Sequence, residues 1–207
     1  MQKHLHQIEL TATTNNWRLF MLRKADSAFL TFQEKIHRRD HYTCQFCGFQ
    51  AKEFLETINL DGNYLVNKPS NLATACGFCA QCFFLEAIGR SNFGGGVLIY
   101  LPELAQAELN ALCHVLFASM IFRLDYADEA KNIYRSLKLR AQLIEEKVGE
   151  GFSNPALFGQ VLIDSQVEKA DHFKQIMSQS FRLLPNISQY AVEILGWSKS
   201  SLQHLQA

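Results

Sequence analysis

The sequence predicts an α+β fold, mainly α, in which a cysteine-stapled knuckle with β-hairpins is followed by a helical C-terminal half. Three observations predict it. Two Cys-x-x-Cys pairs, Cys44 with Cys47 and Cys76 with Cys79, stand 28 residues apart, a spacing that brings two knuckles together. Between them, Phe54 to Leu60 reads as a strand ending at the turn pair Asp61-Gly62, with a return segment around Tyr64 to Val66. Beyond Gly94-Gly95-Gly96 the apolar residues recur mostly at helical spacing.

Taken in order, Gln7 to Thr13 and Trp17 to Arg23 flank the turn signal Thr14-Asn15-Asn16 and predict a hairpin. Asp26 is placed to cap a helix running to Arg39, with Phe29, Leu30, Phe32 and Ile36 at helical intervals. That helix delivers the chain to Cys44. Cys76 to about Ile88 has helical composition and is stopped by Gly89 and Asn92-Phe93-Gly94-Gly95-Gly96. Val97 to Leu101 is a short strand candidate. Pro102 then opens a helical region in which Leu104, Leu109, Leu112, Leu116 and Phe117 share a face. A second helix is expected from Asp128 to Val148, on Ile133, Leu137, Leu139 and Leu143, and ends at Gly149 and Gly151. Asn154-Pro155 is an N-cap followed by proline at the first helical position, and two further helices fit around Pro185. A soft boundary near Gly94 to Gly96 divides residues 1–93, a metal-binding module, from 97–207, a helical region packed on it in one compact unit.

Bulk properties narrow the function. The chain has 207 residues, 48% apolar and 19% charged, enough to bury a core. Lys plus Arg and Asp plus Glu are both 20, so the basic excess usual in proteins that hold phosphate backbones is missing. No nucleic acid is therefore expected as partner. The start is too polar for a signal peptide, and no apolar run approaches the roughly 20 residues of a membrane span. A cytoplasmic protein without direct membrane insertion is expected. The 16 Phe exceed what a core of this size usually holds, which points to a partner surface, although pairs such as Phe83-Phe84 serve a core equally well.

In a reducing compartment six cysteines bind metal or sit reduced in the core. Each Cys-x-x-Cys turn aims two thiolates at one tetrahedral zinc, and Gly48 supplies the backbone freedom a knuckle needs. Cys44, Cys47, Cys76 and Cys79 are thus expected to hold one Zn2+. A closed four-thiolate shell leaves no position for water, so the ion is structural. Four buried small hydrophobes, or two redox pairs, would leave the same spacing. Cys82 overlaps the second pair as Cys79-x-x-Cys82, but lies further along the same helix; Cys113-His114 sits in an apolar helix and reads as core.

The run from Arg39 to Gly48, followed by Leu60-Asp61, Asn71-Leu72, Ala75-Cys76 and Cys79, resembles the zinc-bearing HNH endonucleases, a treble-clef-like fold. The resemblance implies a histidine base after Asp61, an orienting asparagine and a second histidine on a catalytic metal. Gly62 stands at the base position, Ala80-Gln81 follow the last cysteine, and no histidine occurs from Tyr42 to Cys113. Glycine neither takes a proton from water nor binds a divalent ion through its side chain. No catalytic residue is therefore expected, the alternative being an HNH-type nuclease using His37 or His41, or a nucleic-acid-binding zinc module.

A closer resemblance covers essentially the whole chain. Cys44-Gln45-Phe46-Cys47-Gly48-Phe49-Gln50, Asn59-Leu60-Asp61-Gly62, Cys79-Ala80-Gln81-Cys82-Phe83-Phe84 and Gly94 to Leu104 resemble the IcmJ/DotN family of the bacterial Dot/Icm type IV secretion system. The resemblance implies a non-enzymatic subunit of the coupling complex, peripheral to the inner membrane. It also implies partners: the C-terminal extension of the coupling ATPase DotL, and other coupling-complex subunits and adaptors that support effector export.

Overall fold

The computed structural model describes residues 5–165 and 180–197. Helices α1 (Asn16–Arg23) and α2 (Ser27–Arg39) lead into the first cysteine turn; strands β1 (Leu55–Asn59) and β2 (Leu72–Cys76) then pair antiparallel, with Leu55 opposite Cys76. A short helix α3 (Gly77–Ala80) follows β2 directly. Strand β3 (Gly96–Tyr100), helices α4 (Gln106–Phe122), α5 (Ala127–Leu139), α6 (Gln142–Val148) and α7 (Pro155–Asp164), strand β4 (Phe181–Pro185) and helical residues 191–197 complete the described chain. The result is a mainly helical α+β fold, as the sequence predicts.

The capped helices form as read. Asp26 accepts a hydrogen bond from the Ala28 N–H, and Asn154 accepts from Ala156 and Leu157 ahead of Pro155. The hairpin expected over Gln7–Arg23 does not form. Trp17 to Arg23 contains no β-branched residue and is instead the helix α1, while Leu5–Thr13 forms a strap with no strand partner, along which Gln7 and Glu9 are exposed, Ile8 is half-buried and Leu10 buried, the two-residue alternation of extended chain. The return strand also lies later than expected, at Leu72–Cys76. Asn59 closes the intervening loop, its Nδ2 donating to Asn63 O at 2.9 Å and Val66 O at 3.0 Å, so Tyr64–Val66 stays irregular.

Two long helices of the sequence reading are broken, each because another segment takes its hydrogen bonds. Over Cys76–Ile88, α3 gives way to 3-10 turns: Thr11 N–H donates to Cys82 O at 2.9 Å, and Leu85 N–H donates to Thr11 O at 3.0 Å. Over Asp128–Val148, the Arg140 carbonyl accepts from Tyr100 N–H at 3.3 Å, separating α5 from α6. Of the apolar positions expected to face the core, Ile133, Leu139 and Leu143 are exposed and Leu137 is buried, and Ala130 and Ile144 face the core as well. Pro102 lies in a turn before α4, whose first turn is closed by Glu108 accepting the Ala105 N–H at 2.7 Å.

Pro185, read as the centre of two helices, ends strand β4. Phe181–Pro185 pairs antiparallel with β3, with Leu98 opposite Leu183. Of the two helices expected there, one is helical at 191–197; the rest of that span, 166–179, lies outside the described residues. The small sheet is buried on both faces. Leu98, Phe181 and Leu183 enter a core with Ile144, Phe158 and Leu162, whereas Ile99 and Leu184 enter a larger core with Phe78, Phe117, Cys44, Cys76 and Cys79. At α7, Gly159 rests against the main chain of residues 85–86, where a Cβ would lie 2.5 Å from the Glu86 nitrogen.

Candidate metal centre

The first knuckle grows out of α2. His41 and Tyr42 adopt left-handed backbone, with φ of 54° and 51°, and turn the chain into Cys44. Cys44 N–H donates to Phe49 O at 2.7 Å and Gly48 N–H to Cys44 O at 3.0 Å, a tight loop that holds Gly48 at φ 79°. Thr43 bridges to Gln50 and closes it. The second knuckle is the junction of β2 with α3: Cys76 ends the strand and Cys79 lies in the following turn of helix. Gln45 N–H donates to Thr74 O at 2.8 Å, holding the two knuckles together.

The four sulfurs of Cys44, Cys47, Cys76 and Cys79 lie within 4.8 Å of one another, a set able to hold a metal ion. Cys44, Cys76 and Cys79 are fully buried and Cys47 is half-buried. Among the described residues no other such cluster of cysteine, histidine or carboxylate ligands occurs. Burial pushes the Cys76 and Cys79 thiols well above the ordinary thiol range. Burial acts upward on Cys44 too, but hydrogen bonds from Cys47, Cys76 and Cys79 hold it low. Protonation of Cys44, Cys76 and Cys79 is therefore interdependent. A metal ion binds thiolate and not thiol, so uptake of an ion by such a set would release protons.

Two polar side chains from α4 reach the sulfurs. Asn110 Nδ2 donates to Cys79 Sγ at 3.3 Å, and His114 Nε2 lies 3.3 Å from Cys76 Sγ, where an Nε2–H tautomer donates to it. Donors aimed at sulfur favour thiolate over thiol, which fits a metal-loaded set. His114 is clamped between Phe49, ring centroids 3.6 Å apart, and Phe78 at 4.3 Å, with Trp197 at 4.9 Å. Desolvation lowers its pKa from 6.5 to about 3 and keeps it neutral. His114 is buried and outside the four-sulfur set, as the sequence predicts for Cys113-His114, while its approach to Cys76 and that of Asn110 to Cys79 are not foreseen there. The available signal was two polar residues four apart on the apolar face of one helix.

Cys82 and Cys113 stand outside the four-sulfur set, both fully buried. Burial raises the Cys82 pKa to about 12 and raises that of Cys113 further. Cys82 donates to Phe78 O at 3.3 Å. Phe84 is core, against Phe20 at 4.8 Å and Tyr64 at 5.3 Å, while Phe83 is half-buried against Phe46 at 5.2 Å.

The positions resembling a nuclease centre are arranged otherwise. Gly62 lies in the turn after β1, and Asn71 is occupied by Asp61, donating from Nδ2 to Oδ1 at 2.7 Å and accepting the Asp61 N–H at 3.0 Å. The cleft of about 290 Å³ beside them is lined by Glu9, Asn16, Asn59, Asp61 and Tyr64 and holds no histidine. Ala80 is buried. His37 is buried behind α2, its Nε2 3.2 Å from Thr57 Oγ1 and 3.3 Å from Glu56 O. Of the basic cluster ending α2, Arg39 is spent on Asp40, Pro69 O and Leu72 O, and Arg38 pairs at the surface with Glu34.

Fold and site together define a small, mainly helical α+β protein organised around four clustered cysteines able to hold a metal ion. No protein-family model matches the chain. It is 50% identical over 199 residues to the type 4 apparatus protein DotN of Legionella pneumophila (strain Philadelphia 1), an alignment that covers 96% of this chain and 92% of that protein. The chain belongs to the IcmJ/DotN family.

Proposed function

We propose that this chain is a non-enzymatic subunit of a bacterial type IV secretion apparatus, stabilised by one structural zinc ion. Cys44, Cys47, Cys76 and Cys79 hold the ion. The protein binds the C-terminal extension of the coupling ATPase DotL, together with other coupling-complex subunits and adaptors, and thereby supports effector export. The observation that carries this reading is the 50% identity to an apparatus protein over 96% of the chain.

Zinc is favoured by the donor set, since four thiolates in a compact shell suit a tetrahedral, redox-inert ion and leave no open position for chemistry. A scaffold role is favoured by the displaced nuclease positions: Gly62 carries no base, and Asn71 is held by Asp61. Among the described residues no helix is long and apolar enough to cross a membrane. This accords with a subunit peripheral to the inner membrane on its cytoplasmic side, residues 1–93 and 97–207 forming one compact unit.

Titration calorimetry of zinc-loaded protein against the DotL C-terminal extension tests the reading. Binding with a negative heat-capacity change and modest salt dependence is expected. No binding at tens of micromolar, roughly −6 to −7 kcal/mol, removes the proposed partner. The same preparation should leave duplex DNA intact with magnesium or manganese, and cleavage that disappears in His41→Ala would restore the nuclease reading.

A further inference from the structure

The extended strap at the N-terminal end of the described chain is fixed at two places. His6 N–H donates to Gln45 O at 2.8 Å on the first knuckle, and Thr11 exchanges main-chain hydrogen bonds with Cys82 and Leu85. Between these anchors, Gln7, Ile8, Glu9 and Leu10 make no main-chain hydrogen bond among the described residues. Along this stretch runs a groove of about 430 Å³, with Leu5–Leu10 as one wall and the start of α4 and β4, Ala105, Ala107 and Phe181, as the other. Phe46, itself buried on the knuckle, also lines it.

We propose that this groove takes an extended segment of a partner polypeptide, which adds to the main chain of Gln7–Leu10 as a β-strand. The inference rests on the apparatus-subunit reading above and assigns the surface that reading lacks. The occupant follows from the chemistry of the wall. A run of consecutive free N–H and C=O groups in extended geometry is complemented at its own period by another extended peptide. The apolar lining, Leu5, Ile8, Phe46, Ala105, Ala107 and Phe181, takes the alternate side chains of that peptide. Both anchors of the strap lie on or beside the metal knuckle, so its main chain is held in the extended form before a partner arrives, which lowers the ordering cost of binding.

Hydrogen exchange and affinity with the DotL C-terminal extension as probe test the surface. On binding, amides within Gln7–Leu10 should slow at least tenfold. Successive N–H groups of a strand point to opposite edges, so of Ile8→Pro and Glu9→Pro one should weaken binding tenfold or more and the other leave it nearly unchanged. Neither replaces an N–H that bonds within the described fold, and circular dichroism should show both folded. Ala107→Trp, which fills the groove from α4, should also weaken binding tenfold. Wild-type binding with unprotected amides and three neutral variants overturns the groove and leaves the apparatus reading standing. Failure of the wild type to bind overturns both.

Discussion

Asn110 and His114 bear on the four-cysteine cluster from outside it: Asn110 donates to Cys79 and His114 Nε2 lies 3.3 Å from Cys76 Sγ, both on a helix that begins 27 residues after Cys79. Glu86 is the opposite case: a side chain whose chemistry the fold opposes. It is 5% exposed, and among the described residues neither carboxylate oxygen is engaged in a well-formed hydrogen bond, the main-chain groups of Glu86 and Thr13 offering only weak ones. Burial lifts its pKa from 4.5 to about 7, offset in part by nearby main chain of Glu86 and Thr13 and by the Arg90 charge. Below the unfolded value the group is neutral in both states. As pH rises through this window the unfolded chain ionises first, so the fold loses stability until the folded pKa is passed. A shift of this size corresponds to about 3 kcal/mol, less after solvent screening. Glu86→Gln is therefore expected to stabilise the protein by about 1–3 kcal/mol at pH 8, with the gain shrinking toward pH 5.5, read from urea midpoints. A gain independent of pH would show that ionisation is not its source.

Elements show where local signals hold and where contacts override them. The caps of α2 and α7 were legible because Asp26 and Asn154-Pro155 act within their own turn. The helix over Cys76–Ile88 was not, because Thr11, more than 60 residues earlier, supplies the main-chain groups that interrupt it. Helix α7 depends on a distant approach of the same kind. Gly159 allows it to lie on the main chain of Leu85 and Glu86, and an added Cβ would meet the Glu86 nitrogen at 2.5 Å and the Leu85 carbonyl carbon at 2.9 Å. Backbone is a poor yielding partner, so Gly159→Ala is expected to lower stability by about 1–3 kcal/mol, despite alanine's better helix propensity. Denaturant unfolding measures the change, and a stabilised variant would show that α7 shifts freely.

At the scale of the molecule, the larger core joins the four-cysteine site to residues from Phe20 to Trp197. Trp197 donates from Nε1 to Glu53 O at 3.1 Å, and Tyr190 from its hydroxyl to Gly77 O at 3.2 Å, so the last described helix closes over the second knuckle. If the site holds zinc, its removal should loosen both halves together, because apparent binding energies of roughly 10–16 kcal/mol exceed the usual net stability of a domain. Metal analysis is expected to give one zinc per chain, and a strong chelator should melt the far- and near-ultraviolet circular dichroism in one transition. Cys44→Ser and Cys76→Ser should be insoluble or unfolded, whereas Cys113→Ser, outside the sulfur set, should be mild. Equal damage in all three would place the ligands elsewhere.

The cysteine pairs, their turn and the missing histidines were readable from the chain itself, since a Cys-x-x-Cys turn and a residue's chemistry depend on neighbours a few positions away. So was the broad fold class, through helical spacing and caps. The partner of β3, the two breaks in the long helices, and the approach of Asn110 and His114 to the cysteines were decided by tertiary structure. Phe181–Pro185 is a short apolar run that suits a buried strand or a helix equally well by local pattern. Only its register against Gly96–Tyr100, some 80 residues earlier, and the two cores waiting on its faces make it a strand. The physical reason is range: main-chain hydrogen bonds within a turn are specified locally, whereas those exchanged between distant segments depend on which surfaces bury one another.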